Sequence, residues 1–206
     1  MKSCVIISGG DYCQLPESEK SKYIIACDRG CMYAAEQGIV PDLIIGDFDS
    51  YDGELPADVE TLTFPAEKDD TDTMIALKTA IERGFDEVSV YCGFGGRLDH
   101  LYANFQTAVY GAEHGVICRF VDGCNEVVAI KNGELMLPER EGWSLSVFAV
   151  SDECRSVNIT GAKYELKDAV LTNTLPLGVS NQWKQDSPAA RISVGEGTLL
   201  IIMSKM

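Results

Sequence analysis

The chain has 206 residues, of which 46% are apolar and 24% charged, and its formal net charge at pH 7 is −15. This composition is typical of a soluble globular protein with one large domain or two small ones. The acidic excess disfavours binding to nucleic acid and to anionic membrane surfaces, and no apolar run reaches the ~20 residues of a membrane span. We therefore expect a cytoplasmic protein with no nucleic acid and no membrane as partner.

Strand and helix patterns alternate through the first half of the chain. Apolar runs predict strands, which we place at 3–8, 23–27, 43–45, 61–64, 88–92 and 116–121. Apolar side chains at helical spacing predict helices that end at Gly38, Gly84 and Gly115, the last two starting near Asp69 and Arg97. Alternation of this kind indicates a mostly parallel sheet with helices packed on its faces.

The pattern changes after Asn125. Short strand-like runs follow one another at 126–130, 135–137, 145–150, 155–159, 169–171, 190–194 and 199–203, separated by turn-forming residues such as Asn132-Gly133. No helical periodicity is evident there, and strands at this spacing predict a β-sandwich. We therefore expect an α/β fold, with an N-terminal α/β/α domain and a mostly parallel sheet over residues 1–124, followed by a C-terminal all-β sandwich over residues 125–206.

Eight cysteines are distributed along the chain without a Cys-x-x-Cys motif or a paired Cys/His spacing, which makes a zinc site improbable. Several of them, including Cys4, Cys27, Cys92 and Cys118, fall within apolar strand-like runs. We expect reduced thiols that pack as small hydrophobic side chains.

Two aspartates, Asp47 and Asp49, directly follow the apolar run 43–45. Residues two apart in extended backbone point to the same side, so both carboxylates can face one point just past the strand. Loops beyond the carboxyl ends of strands are where open α/β sheets hold ligands. A solvated turn with a local side-chain-to-backbone hydrogen bond is the alternative interpretation of this spacing.

A second acidic segment, with Asp69, Asp70 and Asp72, opens a predicted helix. Aspartates at a helix start also cap backbone N–H groups, so one of them is expected to serve that purpose. Asp69 and Asp72 lie three residues apart and would share a helix face, whereas Asp70 would point elsewhere.

A third segment follows the run 88–92 and contains Gly95, Gly96, Arg97, Asp99 and His100. Glycines before a helix allow backbone N–H groups to approach a phosphate, and Arg97 could bind one bidentately. The spacing is not that of a Walker motif, so these glycines alone do not indicate ATP. Three carboxylate groups at strand-to-helix junctions together indicate a hard-cation site that handles a phosphate substrate.

Four motifs occur in order: Gly-Asp-Phe-Asp-Ser at 46–50, Asp-Asp-Thr-Asp at 69–72, Gly-Gly-Arg-Leu-Asp-His at 95–100 and Ser-Asn-Gln-Trp at 180–183. With these motifs, and over essentially its whole length, the chain resembles the bacterial thiamine pyrophosphokinases, also called thiamine diphosphokinases. The resemblance implies transfer of a pyrophosphoryl group from ATP to the hydroxyl of thiamine, which gives thiamine diphosphate and AMP. It also implies Mg²⁺ and a homodimer with thiamine held near the subunit interface.

The resemblance further implies residue roles. Asp47, Asp49 and Asp72 would bind the metal and, together with Asp99, organise the phosphates for catalysis. The nucleotide side would include Asp28, Gly30, Asp69, Gly95, Gly96, Arg97 and His100, and the thiamine side Ser180, Asn181 and Trp183. Asp28 could equally be a helix N-cap, and Trp183 a packed tryptophan instead of a partner for the thiazolium ring.

Two other functions remain open from the residues alone. A metal-dependent phosphoesterase would also use an Asp-x-Asp pair after a strand with further acidic loops, although the chain has only two histidines, His100 and His114. A non-catalytic thiamine- or nucleotide-binding module would use the acidic loops merely to hold a cation. Release of AMP that requires thiamine would separate these functions from the transferase.

Overall fold

The structure, a computed structural model, describes residues 1–47, 56, 58–65, 67 and 69–206. It has a mixed α/β architecture with a large sheet and a second, antiparallel sheet. The chain divides into two units, the first comprising Met1–Thr107 and Cys118–Gly123 and the second Ala108–Ile117 and Cys124–Met206. Among the described residues, no helix combines the length and apolar character needed to cross a membrane.

The first half of the chain forms alternating strands and helices, as expected. They are β1 Ser3–Ile7, β2 Tyr23–Cys27, α1 Gly30–Glu36, β3 Leu43–Gly46, β4 Glu60–Thr63, α2 Asp72–Glu82, β5 Glu87–Tyr91, α3 Leu98–Glu113 and β6 Ile117–Val121. The strands lie in the order β6-β5-β1-β2-β3-β4, and β1, β2, β3, β4 and β5 pair in parallel. Consecutive residues of β1, β2 and β3 are buried, which is typical of parallel strands covered on both faces.

Strand order reverses at β1. The chain adds β2, β3 and β4 on one side of β1 and then places β5 on the other side. The loops that follow β1 and β5 therefore leave the same edge of the sheet side by side, and Ser8 N–H donates to Tyr91 O at 2.9 Å. A reversal of this kind opens the crevice in which α/β sheets bind ligands.

The second unit contains the strands that follow β6. They are β7 Asn125–Lys131, β8 Glu134–Pro138, β9 Trp143–Ala149, β10 Glu153–Thr160, β11 Leu166–Thr172, β12 Gly178–Asn181, β13 Ala189–Ser193 and β14 Thr198–Lys205. They are hydrogen-bonded in the orders β12-β9-β14-β7 and β11-β10-β13-β8. One hydrophobic cluster draws side chains from both groups, for example Leu145 and Ile201 from the first and Val157 and Ile192 from the second.

Two local expectations were wrong. Helix α2 begins at Asp72 and not near Asp69, because the hydroxyl of Thr71 accepts a hydrogen bond from Met74 N at 3.2 Å and caps the helix. The segment 178–181 was not predicted as a strand. It pairs with β9 across a register irregularity, and Ser180 has a left-handed φ of 58°, so the apolar alternation that would reveal a strand is absent.

Trp183 belongs to the core of the second unit. Only 8% of the residue is exposed, and its indole N–H donates to Leu137 O at 3.1 Å. Asn181 supports the same segment: its amide exchanges hydrogen bonds with the backbone of Tyr164 at 3.0 and 2.7 Å. The polar residues around Trp183 therefore flank a buried anchor, and its environment fits the packing interpretation.

We expect Trp183→Ala to destabilise the protein by about 3–5 kcal/mol, because truncation leaves a large cavity and removes the indole hydrogen bond. Denaturant unfolding followed by circular dichroism measures the loss. Tyr164→Ala is the matched control, since the Tyr164 side chain is 64% exposed and should change stability by less than about 0.5 kcal/mol. Equal stability of the two variants would show that Trp183 is not a packing residue.

Candidate active site

A cavity of about 400 Å³ lies at the carboxyl ends of the parallel strands in the first unit. Its walls come from the loops after β1, β2 and β5 and from the start of α2 and α3. The lining residues are Ser8, Gly9, Gly10, Cys27, Asp28, Arg29, Thr71, Asp72, Thr73, Gly93, Gly95, Gly96, Arg97, His100 and Asn104. The cavity thus occupies the crevice that the reversed strand order creates.

Glycines of two loops form one wall of the cavity. Gly10 N–H donates to Cys92 O at 2.7 Å, and a Cβ added to Gly10 would lie 2.4 Å from Phe94 O. The two loops are therefore in backbone contact at a position where only glycine fits. Gly95 and Gly96 follow with φ of 79° and 68°, a left-handed backbone that glycine adopts without strain.

The start of α2 forms the opposite part of the wall. Asp72 is its first residue, and Thr73 places a buried hydroxyl 2.6 Å from the hydroxyl of Ser8. This hydrogen bond ties the start of the helix to the loop after β1. The helix thereby presents both a carboxylate and the positive end of its dipole to the cavity.

Two arginines, Arg29 and Arg97, line the same cavity. Arg97 is paired with Asp99, its Nε donating to Asp99 Oδ1 at 3.1 Å and its Nη2 to Oδ2. This hydrogen-bonded ion pair lowers the pKa of Asp99 and raises that of Arg97, so both stay charged over a wide pH range. The lining combines positively charged arginines with glycine loops whose backbone N–H groups can approach a ligand. This combination is suited to a polyphosphate.

Asn104 is a buried polar residue that the sequence analysis missed. Its amide donates to Gly93 O at 2.7 Å and so holds the glycine loop from the side of α3. The signal was present in the sequence, because Asn104 shares the apolar face of α3 with Leu101 and Ala108 at helical spacing. Thr73 also lines the cavity without having been singled out.

The structure brings several predicted residues together in the cavity. Asp28, Asp72, Gly95, Gly96, Arg97 and His100 all line it. Asp28 has a left-handed φ of 44°, and the N-cap position of α1 is Arg29, which makes no side-chain capping hydrogen bond. The alternative interpretation of Asp28 as a helix N-cap was therefore wrong.

Other predicted residues lie elsewhere among the described part of the chain. Asp69 and Asp99 are exposed and do not line the cavity, and Gly30 is buried beneath it, where an added Cβ would lie 2.0 Å from Ile7 O. Asp70, predicted to be expendable, binds Lys78 at 2.6 Å. Asp49 falls outside the described residues.

Asp47 follows β3 at the same edge of the sheet. Asp28 N–H donates to Ile45 O at 3.0 Å, which links the ends of β2 and β3. Because β2 and β3 are parallel, Asp47, two residues beyond Ile45, leaves the sheet beside the Asp28 loop. Ser180, Asn181 and Trp183 belong to the second unit.

The donor atoms of the cavity suit a hard cation. Over the ranges that the structure describes, no three His, Cys, Asp or Glu side chains converge on one point. Asp72, Thr71 and Ser8, whose side chains carry oxygen atoms, nevertheless line the cavity. Mg²⁺ usually takes one or two protein carboxylates and completes its shell with substrate phosphates and water, so this set fits Mg²⁺ bound together with a phosphate.

Comparison with known proteins shows the family of the chain. The family model "Thiamin pyrophosphokinase, catalytic domain" matches residues 16–118, and "Thiamin pyrophosphokinase, vitamin B1 binding domain" matches residues 134–199. The thiamine pyrophosphokinase of Bacillus subtilis strain 168 is 28% identical, with 99% of each chain covered. The chain belongs to the thiamine pyrophosphokinase family.

Solved structures show the same similarity. A crystal structure of thiamine pyrophosphokinase from Bacillus subtilis superposes with a TM-score of 0.88 at 25% identity, with 100% of both chains covered. A thiamin pyrophosphokinase family protein from Enterococcus faecalis gives a TM-score of 0.85 at 27% identity, again over 100% of both chains. The similarity therefore extends over the whole fold, beyond the short motifs.

We expect Gly10→Ala to destabilise the protein by about 1–3 kcal/mol, because the added methyl group would collide with the carbonyls of Phe94 and Cys92. Thermal unfolding by calorimetry measures this loss. Gly9→Ala is the matched control in the same loop, since its Cβ would meet only Arg29 Cβ at an ordinary 3.5 Å. A Gly10→Ala protein as stable as Gly9→Ala would contradict the contact between the two loops.

Proposed function

We propose that the chain binds ATP in the cavity of the first unit and transfers its terminal pyrophosphoryl group to the hydroxyl of thiamine. ATP-dependent pyrophosphoryl transfer to thiamine is the reaction of the family to which the chain belongs. The observation that carries the proposal for the site is the cavity itself, which combines glycine loops, two guanidinium groups, a helix start and Asp72. Each of these features favours a polyphosphate with a bound cation.

Mg²⁺ would be held by Asp72 together with Asp47 and Asp49 from the segment after β3. When bound, the metal neutralises phosphate charge that these carboxylates would otherwise repel. These carboxylates would therefore favour phosphate binding only when the metal is bound. We place Asp69 and Asp99 outside the set of metal ligands, because neither residue lines the cavity and Asp99 is hydrogen-bonded to Arg97.

The chain's own groups would position the reacting atoms. Backbone N–H groups of the glycine loops and the guanidinium groups of Arg29 and Arg97 would hold the phosphates in a fixed orientation. The thiamine hydroxyl then attacks the β-phosphorus in line, its new P–O bond forming as the bond to the AMP oxygen breaks. Positioning and charge neutralisation supply most of the rate acceleration in phosphoryl transfer.

Thiamine recognition is proposed to involve the second unit, with an N-terminal α/β/α domain for ATP and a C-terminal β-sandwich for thiamine and subunit pairing. Ser180 is exposed, whereas Asn181 and Trp183 are buried. We propose that the latter two shape the segment and that Ser180 offers the polar contact. A cytoplasmic location is consistent with a reaction that consumes ATP.

Neither alternative from the sequence is supported by the comparisons, which point to one family along the chain. One turnover experiment tests the assignment directly. Protein, ATP, Mg²⁺ and thiamine should yield AMP and thiamine diphosphate in equal amounts. AMP or phosphate release without thiamine would identify a phosphohydrolase, and binding without turnover a non-catalytic module.

Asp72→Asn should retain the fold and lower kcat/KM by about two to three powers of ten, equivalent to about 3–4 kcal/mol of transition-state stabilisation. The amide keeps the shape of the side chain and removes its negative charge. Asp49→Asn, at a position outside the described residues, should have the same effect. Steady-state kinetics at saturating Mg²⁺ measures both.

The matched control is Asp70→Asn, two residues from Asp72 and paired with Lys78 instead of facing the cavity. Its kcat/KM should stay within about threefold of the unmodified enzyme. An Asp72→Asn enzyme as active as Asp70→Asn would refute the assignment of Asp72.

We expect a homodimer at micromolar concentration. The second unit exposes apolar side chains that a partner subunit would cover, among them Leu175, Leu177 and Val179, which are 61%, 58% and 46% exposed. Multi-angle light scattering measures the mass in solution. A fully active monomer would contradict the proposal.

A further inference from the structure

Two thiols lie in contact where the strand order reverses. Cys13 belongs to the loop after β1, Cys92 directly follows β5, and their sulfur atoms are 3.6 Å apart. The backbone N–H of Cys92 donates to Cys13 Sγ at 3.2 Å, and the N–H of Cys13 donates to Cys92 Sγ at 3.3 Å. Each residue therefore orients the sulfur of the other.

The two sulfurs differ in environment and reactivity. Cys92 is buried and has a left-handed φ of 57°, which is uncommon outside glycine, whereas Cys13 is half-buried. The hydrogen bond from the Cys92 thiol lowers the pKa of Cys13 and raises that of Cys92; burial and the Asp122 carboxylate partly oppose the lowering. The more exposed sulfur of Cys13, which accepts the Cys92 N–H, is therefore the expected nucleophile, and buried Cys92 is its partner.

This arrangement contrasts with that of other buried cysteines. Burial raises the pKa of Cys4 and of Cys31 to about 12, which keeps both thiols protonated at neutral pH. Cys4 and Cys31 therefore act as small hydrophobic side chains, as expected. The contact between the Cys13 and Cys92 sulfurs does not follow from that expectation.

We propose that Cys13 and Cys92 are a reversible oxidation site, at which hydrogen peroxide converts the two thiols into a disulfide joining the two glycine loops. The Cys13 thiolate attacks one peroxide oxygen, so an S–O bond forms, the O–O bond breaks and the departing hydroxide takes up a proton as water. The Cys92 thiol then gives its proton to the departing hydroxyl as its sulfur attacks Cys13 sulfur, so an S–S bond replaces the S–O bond and the hydroxyl leaves as a second water. Two thiols are oxidised and one peroxide is reduced.

The disulfide would act on the cavity through its two loops. A disulfide bond is about 2.05 Å long, so the sulfurs must approach by about 1.5 Å from their present separation. Gly93 follows Cys92, and Gly10, whose N–H binds Cys92 O, lies three residues before Cys13. This part of the inference rests on the proposed function: oxidation should weaken the binding of Mg·ATP, because the loops that would hold the phosphates are displaced.

The test treats the reduced protein with hydrogen peroxide and follows it by intact mass and peptide mapping. We expect loss of two hydrogen atoms, a peptide that links Cys13 to Cys92, and complete reversal by dithiothreitol. Calorimetric titration should show Mg·ATP bound about fivefold more weakly by the oxidised form. Cys124→Ser, at an exposed thiol, should behave as the unmodified protein, whereas Cys13→Ser and Cys92→Ser should form no disulfide.

Failure of Cys13 and Cys92 to form a disulfide would overturn the oxidation site. Stepwise oxidation of Cys13 to the sulfinic acid without a disulfide, or a disulfide that persists in Cys13→Ser, would overturn it. A Cys13–Cys92 disulfide with unchanged Mg·ATP affinity would overturn the coupling to the cavity. Absence of Mg·ATP binding in the reduced protein would instead refute the proposed function, while the mass measurement would still decide whether the disulfide forms.

Discussion

The backbone contact between the loops after β1 and β5 is the constraint on which the site depends. Three hydrogen bonds join them in succession: Ser8 N to Tyr91 O at 2.9 Å, Gly10 N to Cys92 O at 2.7 Å and Asp11 N to Phe94 O at 2.7 Å. These bonds extend the parallel pairing of β1 and β5 past the sheet edge. Because the backbone N–H and C=O groups of the two loops are hydrogen-bonded to each other, the glycine wall is already formed in the protein without a ligand.

The same constraint explains why buried polar side chains surround the cavity. Asn104 holds Gly93 from one side, and the Ser8–Thr73 hydroxyl pair holds the start of α2 from the other. Each such group would be costly if left without a partner in the interior, so their hydrogen bonds fix the loops in one arrangement. Rigid support of this kind is what a reaction that depends on positioning requires.

The sequence predicted the alternating strands and the parallel sheet because these follow from local periodicity and from chain direction, whereas the role of Asp72 was implied only by the family resemblance. The sequence could not predict hydrogen bonds and packing contacts between residues that lie far apart in the chain. Trp183 looks exposed among polar neighbours, yet its indole N–H binds the carbonyl of Leu137, 46 residues earlier. Asp70 forms an ion pair with Lys78, eight residues later. The start of α2 was misplaced because Thr71, and not an aspartate, caps this helix.

An acidic protein can hold a polyphosphate because local donors outweigh distant charges. Exposed charges are screened over about 8 Å at physiological ionic strength, so the net charge of −15 is felt weakly inside the cavity. Arg97 faces the cavity while bound to the fully exposed Asp99. Such a pair is easily exchanged, since water solvates the released carboxylate and the guanidinium gains a phosphate partner of higher charge. Under the proposed binding of ATP, Asp99 would therefore keep Arg97 oriented in the free protein and release it to the phosphate.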